Sequence, residues 1–141
     1  MGISKGSAHW NGTIKEGQGA MKPAHGAESP FSLGTRFEGK QGSNPEELIG
    51  AALSGCFSMA LSLGLEKGGL KPSSIKTNAD VRLDKQGEGF AITGIELTCE
   101  ASVPGASDEQ FQKIAEETKK GCPVSKALSA VNITLKASLA K

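Results

Sequence analysis

The 141-residue sequence has no Cys-x-x-Cys pair, no long run of like charge and only two histidines, and each gap closes off a class of chemistry. Without a Cys-x-x-Cys, thioredoxin-type disulfide exchange and zinc ribbons have no support. No arginine stands six residues after a cysteine, so the loop that cradles phosphate in cysteine phosphatases is missing. His9 and His25 lie in the glycine-rich beginning, far from a second ligand at metal spacing, so no metal or bound cofactor is expected. Sixteen Lys and Arg nearly cancel 15 Asp and Glu, and they are spread along the chain, which leaves no footprint for a nucleic acid. The opening "MGISKGSAHWNG" is polar, unlike a signal peptide, and position 6 is glycine where a myristoylation motif has Ser or Thr. The expectation is a cytoplasmic protein whose three cysteines stay reduced.

What is present is enough for one ordinary domain, residues 1–141, with a real core and no internal repeat. Short alternating runs, "AHWNGTIKEG" and "SPFSLGTRFEG", predict two or three antiparallel strands. "SNPEELIG" then opens a long helix, with Asn44 as cap, Pro45 at the first helical position and Glu47 placed for a capping box. "EKGGLKP" closes it. Residues 48–65 are apolar enough to suggest a membrane span, but Ser and Gly interrupt them and charges flank them, so a buried helix is expected. "SIKTNADVRLDK" and "FAITGIELTCEASV" read as strands joined by a hairpin at "QGEG". "SDEQFQKIAEETKKG" is a helix capped by Ser107 and buried along Phe111, Ile114 and Ala115. "CPVSKALSA" starts a short helix with Cys122 at its cap, and "VNITLKASL" is a closing strand. Strands, long helix, strands, two helices and a strand make an α+β fold.

The cysteines differ in what their local sequence says. Cys99 shares a strand face with Ile95 and Leu97 and reads as inert core. Cys122 stands at a helix N-terminus near Lys119, Lys120 and Lys126, an environment that favours a thiolate as much as it tolerates a plain cap. Cys56 has no cation on its own helix face, so its local context favours packing over chemistry. Read locally, Cys122 rather than Cys56 is the reactive thiol.

The motifs "TRFEG" at 35–39, "NPEELIGAALSGCFSMAL" at 44–61 and "GCPVSKAL" at 121–128 together resemble the osmotically inducible OsmC and organic hydroperoxide resistance proteins, over essentially the whole chain. The position of "TRF" just before the long helix is more similar to the OsmC branch. The resemblance implies a thiol peroxidase that reduces organic hydroperoxides. It implies that Cys56 is the peroxidatic thiol, Cys122 the resolving thiol, Arg36 the activating cation and Glu46 the carboxylate that holds it, which reverses the local ranking of the cysteines. Arg36 would lower the thiol pKa and meet the charge that develops on the peroxide, Glu46 would grip its fork bidentately, and Leu53, Phe57, Met59 and Ala60 would form an apolar pocket. The oxidised pair would need an external dithiol, which the resemblance suggests is a lipoylated protein.

It also implies an intertwined homodimer, antiparallel or mixed sheets packed around long central apolar helices. Helix geometry points the same way: Glu46 and Cys56 are about 15 Å apart along one straight helix, so one Arg36 serves both only if two helices pack antiparallel and the site is shared. Two other readings stay open. One is a non-catalytic module that binds an apolar ligand or senses redox state, and the other is a helix that serves only for dimerisation.

Overall fold

The computed structural model describes residues 2–140, which form two compact units, one ending at Leu48 and one beginning at Ile49. In the first, β1 (Gly6–Asn11), β2 (Gln18–Pro23) and β3 (Ser29–Phe31) make an antiparallel sheet in chain order. The run "AHWNGTIKEG" is strand only as far as Asn11, because Gly12 turns the chain with φ +101. Trp10 packs on Phe31 with ring centroids 5.4 Å apart. Gly19 lies against both rings, and a Cβ there would run into the His9 carbonyl oxygen.

Two or three antiparallel strands are expected and three are present, but the second run is strand only over Ser29–Phe31: beyond Phe31 the chain coils into α1 (Leu33–Phe37), which carries Arg36. Ser32 Oγ accepts from the Thr35 amide at 3.2 Å, and Thr35 Oγ1 accepts from the Ser32 amide at 2.9 Å. This reciprocal cap satisfies two amide groups locally and outweighs the alternating apolar pattern.

The long helix, α2 (Pro45–Lys67), starts where the sequence places it. Asn44 Oδ1 accepts from the Glu47 amide at 2.8 Å, but the Glu47 carboxylate is engaged by the Ser43 hydroxyl at 2.9 Å instead of closing a capping box on Asn44. Gly69, at φ +84, ends the helix, with the Leu70 amide donating to the Leu65 carbonyl at 2.9 Å.

In the second unit β4 (Ser74–Gln86) and β5 (Gly89–Ser102) form the expected hairpin, turning at Gly87 with φ +63. From β5 the chain crosses through α3 (Asp108–Gly121) and α4 (Pro123–Ala127) and returns as β6 (Ile133–Leu139), parallel to β5. A parallel neighbour needs such a crossover, and here it is the segment that carries Cys122. Ile95, Leu97 and Cys99 are all but inaccessible on one face of β5, and Phe111 and Ala115 of α3 are fully buried.

Helix α2 has two apolar ridges. Leu53, Phe57, Leu61 and Leu65, spaced four apart, are 0% exposed and belong to the core of the second unit. Each gains about 1.5–3 kcal/mol from leaving water, before the cost of ordering it. The ridge on the opposite side, Ala51, Gly55, Met59 and Leu63, is exposed, with Met59 at 79% and Leu63 at 53%. By length and composition α2 would suffice to cross a membrane, and 28% of its most apolar window is buried within the chain.

Candidate active site

The first unit contributes an ion pair. Arg36, on α1, donates from Nε to Glu46 Oε1 at 2.7 Å and from Nη2 to Oε2 at 3.0 Å. Glu46 sits in the first turn of α2, where a carboxylate suits the helix dipole, and is 7% exposed. Two parallel charge-assisted bonds fix the plane of the guanidinium, which a single contact leaves free to swing. Its Cζ also stands 5.5 Å from the Phe37 ring centroid. The fork thus has one edge on Glu46, with further donors on Nη1 and Nη2.

The second unit brings two thiols together. Cys56 is half-buried on α2, and Cys122 is 1% exposed at the joint where α3 ends and α4 begins. The two side chains are neighbours that influence one another's ionisation, and both are free thiols. Because Pro123 has no N–H, the first free amides of α4 belong to Val124 and Ser125. The Val124 amide favours the thiolate form of Cys56. Ser125 directs its own to Cys122 Sγ at 3.4 Å, and the Cys122 thiol donates to Ser125 Oγ at 3.1 Å.

Cys56 lacks the expected apolar pocket in the single chain. Its pKa is pushed up, chiefly by burial; the Val124 amide opposes this, while the bond to Cys122 and the charge of that neighbour add to it. No cation of its own chain is among these causes. Nor do Leu53, Phe57, Met59 and Ala60 form a pocket, since Leu53 and Phe57 are consumed in the core and Met59 faces outward. A helix presents successive residues about 100° apart, so neighbours in sequence do not share a face.

The sequence model for the family described as OsmC-like protein matches residues 37–136. The chain belongs to the OsmC family. Peroxiredoxin OsmC of Escherichia coli (strain K12) is 53% identical over 133 residues, covering 93% of this chain and 92% of that protein. The organic hydroperoxide resistance protein of Xanthomonas axonopodis pv. citri (strain 306) is 29% identical over 99 residues, 69% of this chain and 68% of its own. These identities favour the OsmC branch, as the position of "TRF" suggests. A crystal structure of an OsmC like protein from Mycoplasma pneumoniae superposes with a TM-score of 0.78 over 99% of each chain at 14% identity. The two small sheets and long helix are therefore the OsmC fold.

Against that family background Cys99 stands apart, fully buried on β5 opposite Thr77. Burial pushes its thiol pKa up, and a bond with Thr77 partly offsets this. Thr77 Oγ1 is in turn 2.7 Å from Ser58 Oγ on α2. Val124 and Ser125 are the residues that the reading of motifs passed over. The signal was in "CPVS": a proline at the first helical position leaves the next two amides as the ones to be satisfied.

Proposed function

We propose that this member of the OsmC family is a cysteine-based peroxidase that reduces organic hydroperoxides to alcohols through Cys56 and Cys122. The observation that carries the reading is the contact between these two free thiols, delivered by α2 and by the α3–α4 joint. The names of the relatives, peroxiredoxin and organic hydroperoxide resistance protein, support the same chemistry.

The Cys56 thiolate attacks one peroxide oxygen, the O–O bond breaks, and the alkoxide leaves and takes a proton to become the alcohol. Cys56 is left as a sulfenic acid. Cys122 then condenses with it, forming the disulfide and water before further peroxide can carry the sulfur to sulfinic acid. An external dithiol, for which a lipoylated protein is our candidate, reduces the disulfide in the cytoplasm.

Activation of Cys56 is the task of Arg36. A permanently charged planar fork, gripped by Glu46, pairs with the thiolate and donates to the oxygen that gathers charge as the O–O bond breaks. Glu46 and Cys56 are ten residues apart on α2, a rise of about 15 Å, so the arginine that serves Cys56 belongs to a second copy of the chain. Two α2 helices packed antiparallel, crossing near Ala51, set residue 46 of one beside residue 56 of the other. The exposed ridge of Ala51, Gly55, Met59 and Leu63 supplies the apolar surface for that packing, with small residues at the crossing.

Intact mass after one equivalent of cumene hydroperoxide tests the assignment. A loss of two hydrogens, mapped by digestion to Cys56 and Cys122, is the expected result. If the thiols react no faster than a free thiol, an apolar-ligand or redox-sensing module takes the place of the enzyme.

A further inference from the structure

Ser125 is buried, at 6% exposed, and both its amide and its hydroxyl meet one sulfur. Its amide donates to Cys122 Sγ at 3.4 Å and its hydroxyl oxygen accepts the Cys122 thiol proton at 3.1 Å. A hydroxyl differs from the amide in one respect that matters here: it both accepts and donates, and it rotates to suit. Against a thiol it accepts, and against a thiolate it turns and donates. The partner of the resolving sulfur thus serves both of its protonation states without any movement of the backbone.

We infer that Ser125 is a catalytic residue of the disulfide-forming step, its hydroxyl turning to donate to Cys122 Sγ as that sulfur ionises and attacks the Cys56 sulfenic acid. The inference rests on the peroxidase reading above. In this step the Cys122–Cys56 S–S bond forms and the Cys56 S–O bond breaks. The departing hydroxide combines with the proton that Cys122 gives up, and water leaves. Cys122 is oxidised, the sulfenic sulfur is reduced by the same amount, and no other oxidant enters. The same hydrogen bond stabilises Cys122 as the leaving thiolate if the reducing dithiol attacks Cys56, so it lowers the barrier in both directions.

The amides of α4 divide the labour. The Ser125 amide donates to Cys122, and the Val124 amide favours the charged form of Cys56, so the joint supplies a separate amide for each sulfur while the bond between them is made and broken. Only Cys122 has a side-chain hydroxyl as well. Titratable groups around it include Cys56 from α2, Lys67 and Glu117 around a cavity of about 300 Å³ that Cys122 helps to line, and, close in sequence, Lys119, Lys120 and Lys126, of which Lys119 is paired to Glu116 at 2.9 Å.

The test resolves the two chemical steps in the full-length protein. Stopped-flow mixing with cumene hydroperoxide reads sulfenic acid formation as the fast phase and disulfide closure as the second, across a range of pH, for the parent, Ser125→Ala and Ser125→Thr. Expected for Ser125→Ala is a second phase slowed by about tenfold, equivalent to about 1.4 kcal/mol, with a far smaller effect on the first. Its pH profile moves upward, because the thiolate has lost a donor, and overoxidised Cys56 accumulates. Ser125→Thr, which keeps the hydroxyl, recovers most of the rate. A purely packing role would not shift the pH profile or be rescued by a hydroxyl. If Ser125→Ala closes its disulfide at the parental rate and pH dependence, the inference is overturned. If instead the parent protein itself makes no sulfenic acid, the peroxidase reading has failed, which is a different result. Should Ser125→Ala unfold, a parental second phase without a solvent deuterium isotope effect would overturn the inference, since a proton must move as Cys122 attacks.

Discussion

Mixing two inactive chains gives the most demanding test of a site shared between subunits. One carries Arg36→Ala and keeps Cys56; the other carries Cys56→Ser and keeps Arg36. Each homodimer has only defective sites. In a heterodimer built on antiparallel α2 helices, one site combines the intact Cys56 of the first chain with the intact Arg36 of the second, and the other site holds both defects. Random assortment makes about half of the dimers mixed, and half of their sites intact, so about a quarter of the parental activity returns. The geometry behind this is the unbroken α2 helix, which sets Glu46 about 15 Å from the Cys56 of its own chain, while Arg36 is held to Glu46 by bonds of 2.7 and 3.0 Å. The assay is peroxide consumption with a dithiol after the two chains are unfolded together in equal amounts and refolded. Separately refolded chains, mixed afterwards, serve as the control. A co-refolded mixture that stays as inactive as its components, while containing heterodimers, would refute the reasoning.

Four further outcomes follow from the same structure. Cys56→Ser abolishes peroxide reduction, whereas Cys122→Ser reacts once and then accumulates sulfinic acid at Cys56, as peptide mass spectrometry checks; equal loss of the first turnover in both would exchange or remove their roles. Arg36→Lys keeps the charge but cannot repeat the two-point grip on Glu46, so the rate falls by at least about tenfold with a stability loss of about 1 kcal/mol, measured by peroxide kinetics and urea unfolding. Met59→Lys, at a position 79% exposed, leaves the fold intact by circular dichroism but disfavours dimers in sedimentation; an unchanged dimer would remove the exposed ridge from the interface. Cys99→Ala costs about 1 kcal/mol of packing and leaves turnover intact. Its pH dependence has a definite sign. The folded thiol has a raised pKa, so its contribution to stability is full below the ordinary thiol pKa and is lost as pH rises through the folded value. Denaturant midpoints of the parent therefore fall more steeply in alkali than those of Cys99→Ala.

Much of the architecture was legible because local rules were decisive. Pro45 and Asn44 start α2, Gly69 ends it, the alternation in 95–100 sorts β5 into a buried and an exposed face, and Pro123 puts Cys122 at a cap. Where two local signals competed, sequence pattern chose wrongly: the alternation in "SPFSLGTRFEG" suggested a strand, but the Ser32–Thr35 cap made Arg36 helical. Burial within α2 was not legible at all. A helix apolar on every side has no periodicity from which to choose its inner face, so the core position of Leu53 and Phe57 and the outward position of Met59 were decided by the sheet against which it packs. The chemistry divided in the same way. Sequence motifs named Cys56, Cys122, Arg36 and Glu46 through their resemblance to a family. That Cys56 of α2 meets Cys122 and lies near Val124 is a matter of segments far apart in sequence, whereas the grip of Ser125 on Cys122 is a local cap three residues long. Contacts of the first kind follow from how the helices pack, and no local pattern encodes them.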